Sequence, residues 1–108
     1  DVVYYGDDAG AVHGIEVATG LQVFSKTFEA GIKIRTYPIT LYYPSTPDAY
    51  IGNDNGKVYK FNINNSAAAA TLLADLGANV SIRSISYSIT LDKLMVASSD
   101  GRFIFVDP

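Results

Sequence analysis

The apolar positions of this chain fall in short runs separated by polar, glycine-bearing turns. Three stretches repeat that layout: VVYYGDDAGAVHGIEVATG from Val2, DAYIGNDNGKVYKFNINNS from Asp48 and KLMVASSDGRFIFVDP from Lys93. Each opens with a short apolar strand and continues with a small residue, Gly6, Gly52 or Ala97. Three turn residues then lead to a glycine and a second apolar strand. The glycines are Gly10, Gly56 and Gly101, spaced 46 and 45 residues apart. Asp8-Ala9-Gly10, Asn55-Gly56 and Asp100-Gly101 are hairpin signals, because glycine reaches positive φ without a Cβ clash and Asp or Asn bonds nearby backbone. These three glycines are therefore assigned to turns. A phosphate cradle is not indicated: there is no P-loop or GxGxxG spacing, and no helix is predicted to follow.

The repeat continues beyond the second strand. Ala18-Thr19-Gly20 makes a turn and residues 21–28 read as a third strand. Adding 46 maps them onto Asn64-Asn65-Ser66 and residues 67–74, with no gap as far as Gly31 and Gly77. The tract AAAATLLADL from Ala67 favours a helix by propensity, but its repeat partner LQVFSKTF is a strong strand, so a strand is expected. A fourth strand type occupies residues 34–43 and 84–90, with Arg35-Thr36-Tyr37 matching Arg83-Ser84-Ile85. Pro38 in the first of these predicts a bulge or an edge, and Pro44-Ser45-Thr46-Pro47 an exposed turn.

Four short strands in roughly 46 residues is the size of one β-propeller blade. The expected fold is all-β, a single partial β-propeller over residues 1–108, with blades of four antiparallel strands. With strands named A to D outward from the axis, the chain reads BCD over 1–30, ABCD over 31–78 and ABC over 79–108, or about two and a half blades. A closed ring at this spacing takes roughly 270–360 residues. The end blades would expose faces and edges built to pack on neighbours. The chain is therefore expected not to be a monomer by itself. Its partners would be further blades of a longer chain, another subunit or copies of itself. It opens on Asp1 rather than Met, which reads as a processed chain or a piece of a longer one.

The copy GDDAGAVHGIEVATGLQVF resembles the quinoprotein-like, or pyrroloquinoline-quinone-type, propeller repeat. Gly6, Asp8, Gly10, Glu16, Ala18, Thr19, Gly20 and Phe24 fill that repeat's places, with Glu16 where Asp is usual and Phe24 where Trp usually docks neighbouring blades. The second copy keeps the hairpin but carries Asn64-Asn65-Ser66 in place of Ala-Thr-Gly. The resemblance implies a propeller and a periplasmic or extracellular setting. It is shared by quinone-dependent dehydrogenases, outer-membrane assembly lipoproteins and pilus-tip adhesins, so it assigns no single activity.

Composition narrows the function classes. Hydrophobic residues make up 48% and charged residues 18%, enough for a packed core rather than a disordered tail. Net charge is −3 and the eight Lys and Arg are scattered, which argues against a nucleic-acid partner. No apolar run approaches the roughly 18 residues of a membrane span. Cysteine is absent, so disulfides, thiolate metal sites and a Cys nucleophile are excluded.

The remaining chemistry is sparse. His13 is the only histidine and reads as a sheet position, its repeat counterpart being Tyr59. The acidic turns Asp7-Asp8 and Asn53-Asp54-Asn55 read as turn caps; calcium is the alternative, although neither turn completes a calcium-loop pattern. The eight tyrosines read mainly as packing, with Tyr42 and Tyr43, beside the proline-rich loop, as the interaction surface. Two N-x-S sequons, at Asn64 and Asn79, matter only in a eukaryotic secretory pathway. No catalytic, cofactor or metal residue is assigned. The reading is a non-catalytic propeller module acting as a binding or assembly scaffold. Its rivals are a fragment of a quinone-dependent dehydrogenase and the subunit of an extracellular filament.

Overall fold

The computed structural model describes residues 1–41 and 46–108. The expected interaction pair Tyr42 and Tyr43 lies outside the described residues. The described chain is all-β, with no α-helix, and forms three small antiparallel sheets. The first contains β1 (Val2–Gly6), β2 (Ala11–Glu16) and β3 (Gln22–Thr27) in that order. The second contains β4 (Ile39–Thr40), β5 (Asp48–Gly52), β6 (Lys57–Asn62) and β7 (Thr71–Asp75). The third orders β8 (Ile82–Ser88), β9 (Lys93–Ser98) and β10 (Phe103–Val106).

The three hairpins share one turn geometry. Asp7 N–H donates to the Ala11 carbonyl at 2.9 Å, Asn53 N–H to Lys57 at 3.0 Å and Ser98 N–H to Arg102 at 3.0 Å. The glycine in each turn lies at positive φ: 94° at Gly10, 73° at Gly56 and 86° at Gly101. In two turns an Asx side chain caps the loop from inside. Asp7 Oδ1 accepts from Ala9 and Ala11 N–H, and Asn53 Oδ1 from Asn55 and Lys57 N–H.

Alternation sorts the side chains onto two faces of each sheet. Val12 and Phe24 of the first sheet pack with Ala49, Ile51 and Phe61 of the second. From the opposite face of the second sheet, Tyr50 and Val58 pack with Ile85, Leu94 and Val96 of the third. The middle sheet is thus covered on both sides. Val12, Ile51, Val58, Leu94 and Val96 are completely buried, each contributing about 1.5–3 kcal/mol by leaving water.

The units join in the same way twice. Ile34 N–H donates to the Asp7 carbonyl at 3.1 Å, and Ile82 N–H to the Asn53 carbonyl at 3.0 Å. Each isoleucine fills the space over a glycine: a Cβ on Gly6 would lie 2.4 Å from Ile34 Cγ2, and one on Gly52 2.2 Å from Ile82 Cγ2.

Three details differ from the expected pattern. First, the repeat is not gap-free to Gly77. Ala11 pairs with Thr27 but Lys57 with Asp75, and Phe28 N–H bonds Gly10 where Leu76 N–H bonds Gly56. The β6–β7 turn therefore holds two extra residues. The counterpart of Gly31 (φ 82°) is Asn79 (φ 64°), not Gly77. Second, the strand expected over 67–74 starts only at Thr71. The alanines before it lie in the enlarged turn, which Asn62 and Asn65 hold by accepting from Asn64 and Ala67 N–H. Third, the strand expected over 34–43 is reduced, among the described residues, to Ile39–Thr40. Pro38 has no N–H for the ladder. Just before it, the buried Thr36 hydroxyl replaces backbone pairing by accepting from Gly52 N–H at 2.9 Å and approaching the Gly52 carbonyl at 3.3 Å.

Candidate functional site

The β1–β2 register places His13 opposite Tyr5, with ring centroids 5.2 Å apart. It also brings His13 beside the turn residue Asp7. His13 Nε2 lies 2.6 Å from Asp7 Oδ2, and Nδ1 lies 2.8 Å from Gln22 Oε1 on β3. Two acceptor oxygens favour the doubly protonated ring. The Asp7 hydrogen bond raises the His13 pKa above its ordinary value against the opposing effect of burial, with Gln22 assisting. The Ala11 N–H and then His13 hold Asp7 below the usual carboxylate range. Both imidazole nitrogens are thus hydrogen-bonded within the sheet and its turn. The pair pins the first hairpin to its sheet.

A second cluster lies between the first two sheets. Glu29 accepts from Asn53 Nδ2 at 2.9 Å and Asn55 Nδ2 at 3.1 Å, and pairs with Lys57 Nζ at 3.0 Å. Burial pushes Glu29 up, but the donors Asn53, Lys57 and Asn55 outweigh it and leave the carboxyl below its usual range. Nearby, Lys26 Nζ donates to the Ser66 and Ala68 carbonyls at 3.1 and 2.9 Å. Asp54 joins both linking segments, accepting from Arg35 Nε at 2.9 Å and from the Ser81 hydroxyl. Glu29, Lys26 and Thr36 were not singled out in sequence. Nothing in their spacing marks them; only the pairing of sheets brings their partners within reach.

In the turns considered for calcium, Oδ1 of Asp7 and Oδ1 of Asn53 accept from backbone N–H groups. Among the described residues no three His, Asp or Glu side chains cluster closely enough to hold a metal ion. No helix among them is long and apolar enough to cross a membrane.

Two adjoining grooves lie between β8 and the segment that carries β4. One groove of about 320 Å³ is lined by Ile39, Thr40, Ile85, Ser86, Tyr87 and Ile89. An adjoining one of about 240 Å³ includes Arg35, Tyr37 and the repeat-related Arg83. The turn glycines sit apart from both grooves. Gly10 and Gly56 lie under neighbouring backbone, where a Cβ would come within 2.0 Å of the Glu29 carbonyl oxygen and 2.3 Å of the Gly77 carbonyl oxygen. Gly101 has nothing within 4 Å.

No protein-family model matches the chain, and no curated protein matches it. Among solved structures, it is similar to the crystal structure of the computationally designed Ika4 protein, with a TM-score of 0.68 at 17% sequence identity. The match covers 96% of this chain and 58% of the designed one, so the present chain spans little more than half of that structure. At this identity the likeness concerns the fold alone.

Proposed function

We propose that the chain is a non-catalytic β-propeller module of the quinoprotein-like type, serving as a binding or assembly scaffold in the cell envelope or outside the cell. The observation that carries this reading is the junction made twice: Ile34 over Gly6 with its N–H on Asp7, and Ile82 over Gly52 with its N–H on Asn53. A unit that repeats both its internal hairpin and its contact with the next unit is the logic of a propeller or solenoid. Phe24 supports the family likeness. It is buried between the first two sheets, edge-on to Tyr4 and 5.9 Å from Phe61, where the family's Trp would dock neighbouring blades.

The scaffold reading also draws on the sheet edges. In the second sheet β4 covers β5 and β7 covers β6. Among the described residues, the equivalent edges of β1 and β10 are uncovered, the places where a partner strand adds. The β4–β8 groove, with Arg35, Tyr37 and Arg83, is the surface offered for recognition.

The test is to add pyrroloquinoline quinone and calcium to the purified chain. No absorbance of bound quinone and no dye-linked alcohol oxidation are expected. Either signal overturns the non-catalytic reading.

A further inference from the structure

The repeat relates the two outer faces of the stack to faces that are already buried inside it. On the middle sheet, Ala49, Ile51 and Phe61 meet the first sheet. Their counterparts, 46 residues earlier, are Val3, Tyr5 and Ile15 on the outward face of the first sheet. Val3 and Tyr5 are 56% and 42% exposed. Tyr50 and Val58 of the middle sheet meet the third. Their counterparts, 45 residues later, are Met95 and Phe103 on the outward face of the third sheet. The strand pairing puts Phe105 opposite Met95, hence on that same face. Phe103 and Phe105 are 61% and 54% exposed and stack edge to face at 5.5 Å. One outer face is thus the giving side of the internal junction and the other its receiving side.

We propose that a second copy of the chain docks head to tail, its Val3–Tyr5 face seated on the Phe103–Phe105 face of the first copy. The contact continues the two junctions already made within one chain. This rests on the reading of the chain as a stack of like units, and it commits that stack to self-association. The arrangement is heterologous, because each copy gives one face and receives with another. It closes into a ring or extends into a filament according to the rotation per copy. The third unit carries Ala97 where Gly6 and Gly52 stand. The glycine seat is therefore already filled there, and the intermolecular contact relies on the aromatic pair rather than on an incoming isoleucine.

Two blocked chains test this. Phe103→Glu spoils the receiving face and Val3→Glu the giving face. Both positions are more than half exposed, so each variant is expected to fold and to melt in one cooperative transition. Phe105→Glu and Tyr5→Glu serve as replacements if one does not. Analytical ultracentrifugation should show the parent as an oligomer or fibre and each variant alone as a monomer. An equimolar mixture of the two should give a particle of two chains that grows no further, because one good giving face meets one good receiving face.

A monomeric parent at NMR concentrations overturns the proposal. So does a Val3→Glu chain that dimerises by itself, which would mean that the phenylalanine faces pair with each other. A mixture that stays monomeric overturns it as well. None of these outcomes decides whether the chain binds quinone, so failure here is distinguishable from failure of the functional reading.

Discussion

Ile82 occupies the space that a side chain on Gly52 would need: its Cγ2 methyl lies 2.2 Å from the position of a Cβ there. Ile34 stands in the same relation to Gly6. The small residue that follows the first strand of each repeat is therefore more than a turn preference. It is the socket through which one unit is fastened to the next.

The hairpin glycines separate into two kinds, and stability measurements should resolve them. Gly56→Ala would suffer both the left-handed backbone (φ 73°) and a collision with the Gly77 carbonyl. The expected cost is about 2–4 kcal/mol. Gly101→Ala meets open space, and only the backbone term remains, about 1–2 kcal/mol. Urea denaturation of both variants checks this. Equal losses would show that the cross-sheet contact at Gly56 is unimportant.

Glu29 ties the first sheet to the turn of the second. A carboxylate held below its usual value contributes stability that is present above its unfolded pKa, near 4.5, and is lost as pH falls through the folded value. Glu29→Gln should lower stability at neutral pH and flatten the acid limb of the stability–pH curve. Thermal melts between pH 3 and pH 7 read both effects. An unchanged acid limb would mean that other carboxylates set it.

Asp7→Asn separates turn capping from ion pairing, since Asn53 already caps the second turn in that way. The hairpin should persist, while the His13 pKa should fall toward its ordinary 6.5, followed by NMR titration of the ring. In the parent, the raised His13 pKa contributes stability below the unfolded value of 6.5 and loses it as pH rises through the folded value. Asp7, held below 3.8, contributes above that value. The pair therefore stabilises most strongly between those limits, and the variant should lose that maximum.

Tyr50 should ionise late. Burial above all, with help from Asp48, Tyr87 and Asp92, pushes its phenol up to about 12. Stability it contributes is intact below the unfolded value near 10 and is lost as pH rises toward the folded one. Alkaline titration followed by tyrosinate absorbance should show a late step that coincides with unfolding. Its absence in Tyr50→Phe would assign the step.

The sequence made the hairpins legible because glycine, Asx and short apolar runs obey local rules: Gly10, Gly56 and Gly101 could be found by spacing alone. It also marked the alanine tract as containing a strand despite its helical propensity, because the repeat outweighed composition. What it hid was non-local. The two residues added to the β6–β7 turn persist through Arg83, which stands 48 after Arg35, and are offset only by the shorter β8–β9 connection, so glycine-to-glycine arithmetic passes over them. Thr36 does the work of a strand residue through its hydroxyl, which no strand pattern registers. Glu29 acquires its role from Asn53, Asn55 and Lys57, which reach it only once two sheets have packed.

The central physical claim is that successive units share one junction. Nuclear Overhauser contacts in the folded chain test it most directly. Strong cross-peaks are expected from the Ile34 Cγ2 methyl to the Gly6 α-protons and, matching them, from the Ile82 Cγ2 methyl to the Gly52 α-protons. Finding one without the other, or helical contacts through residues 67–76, would contradict the repeated junction and the stack built on it.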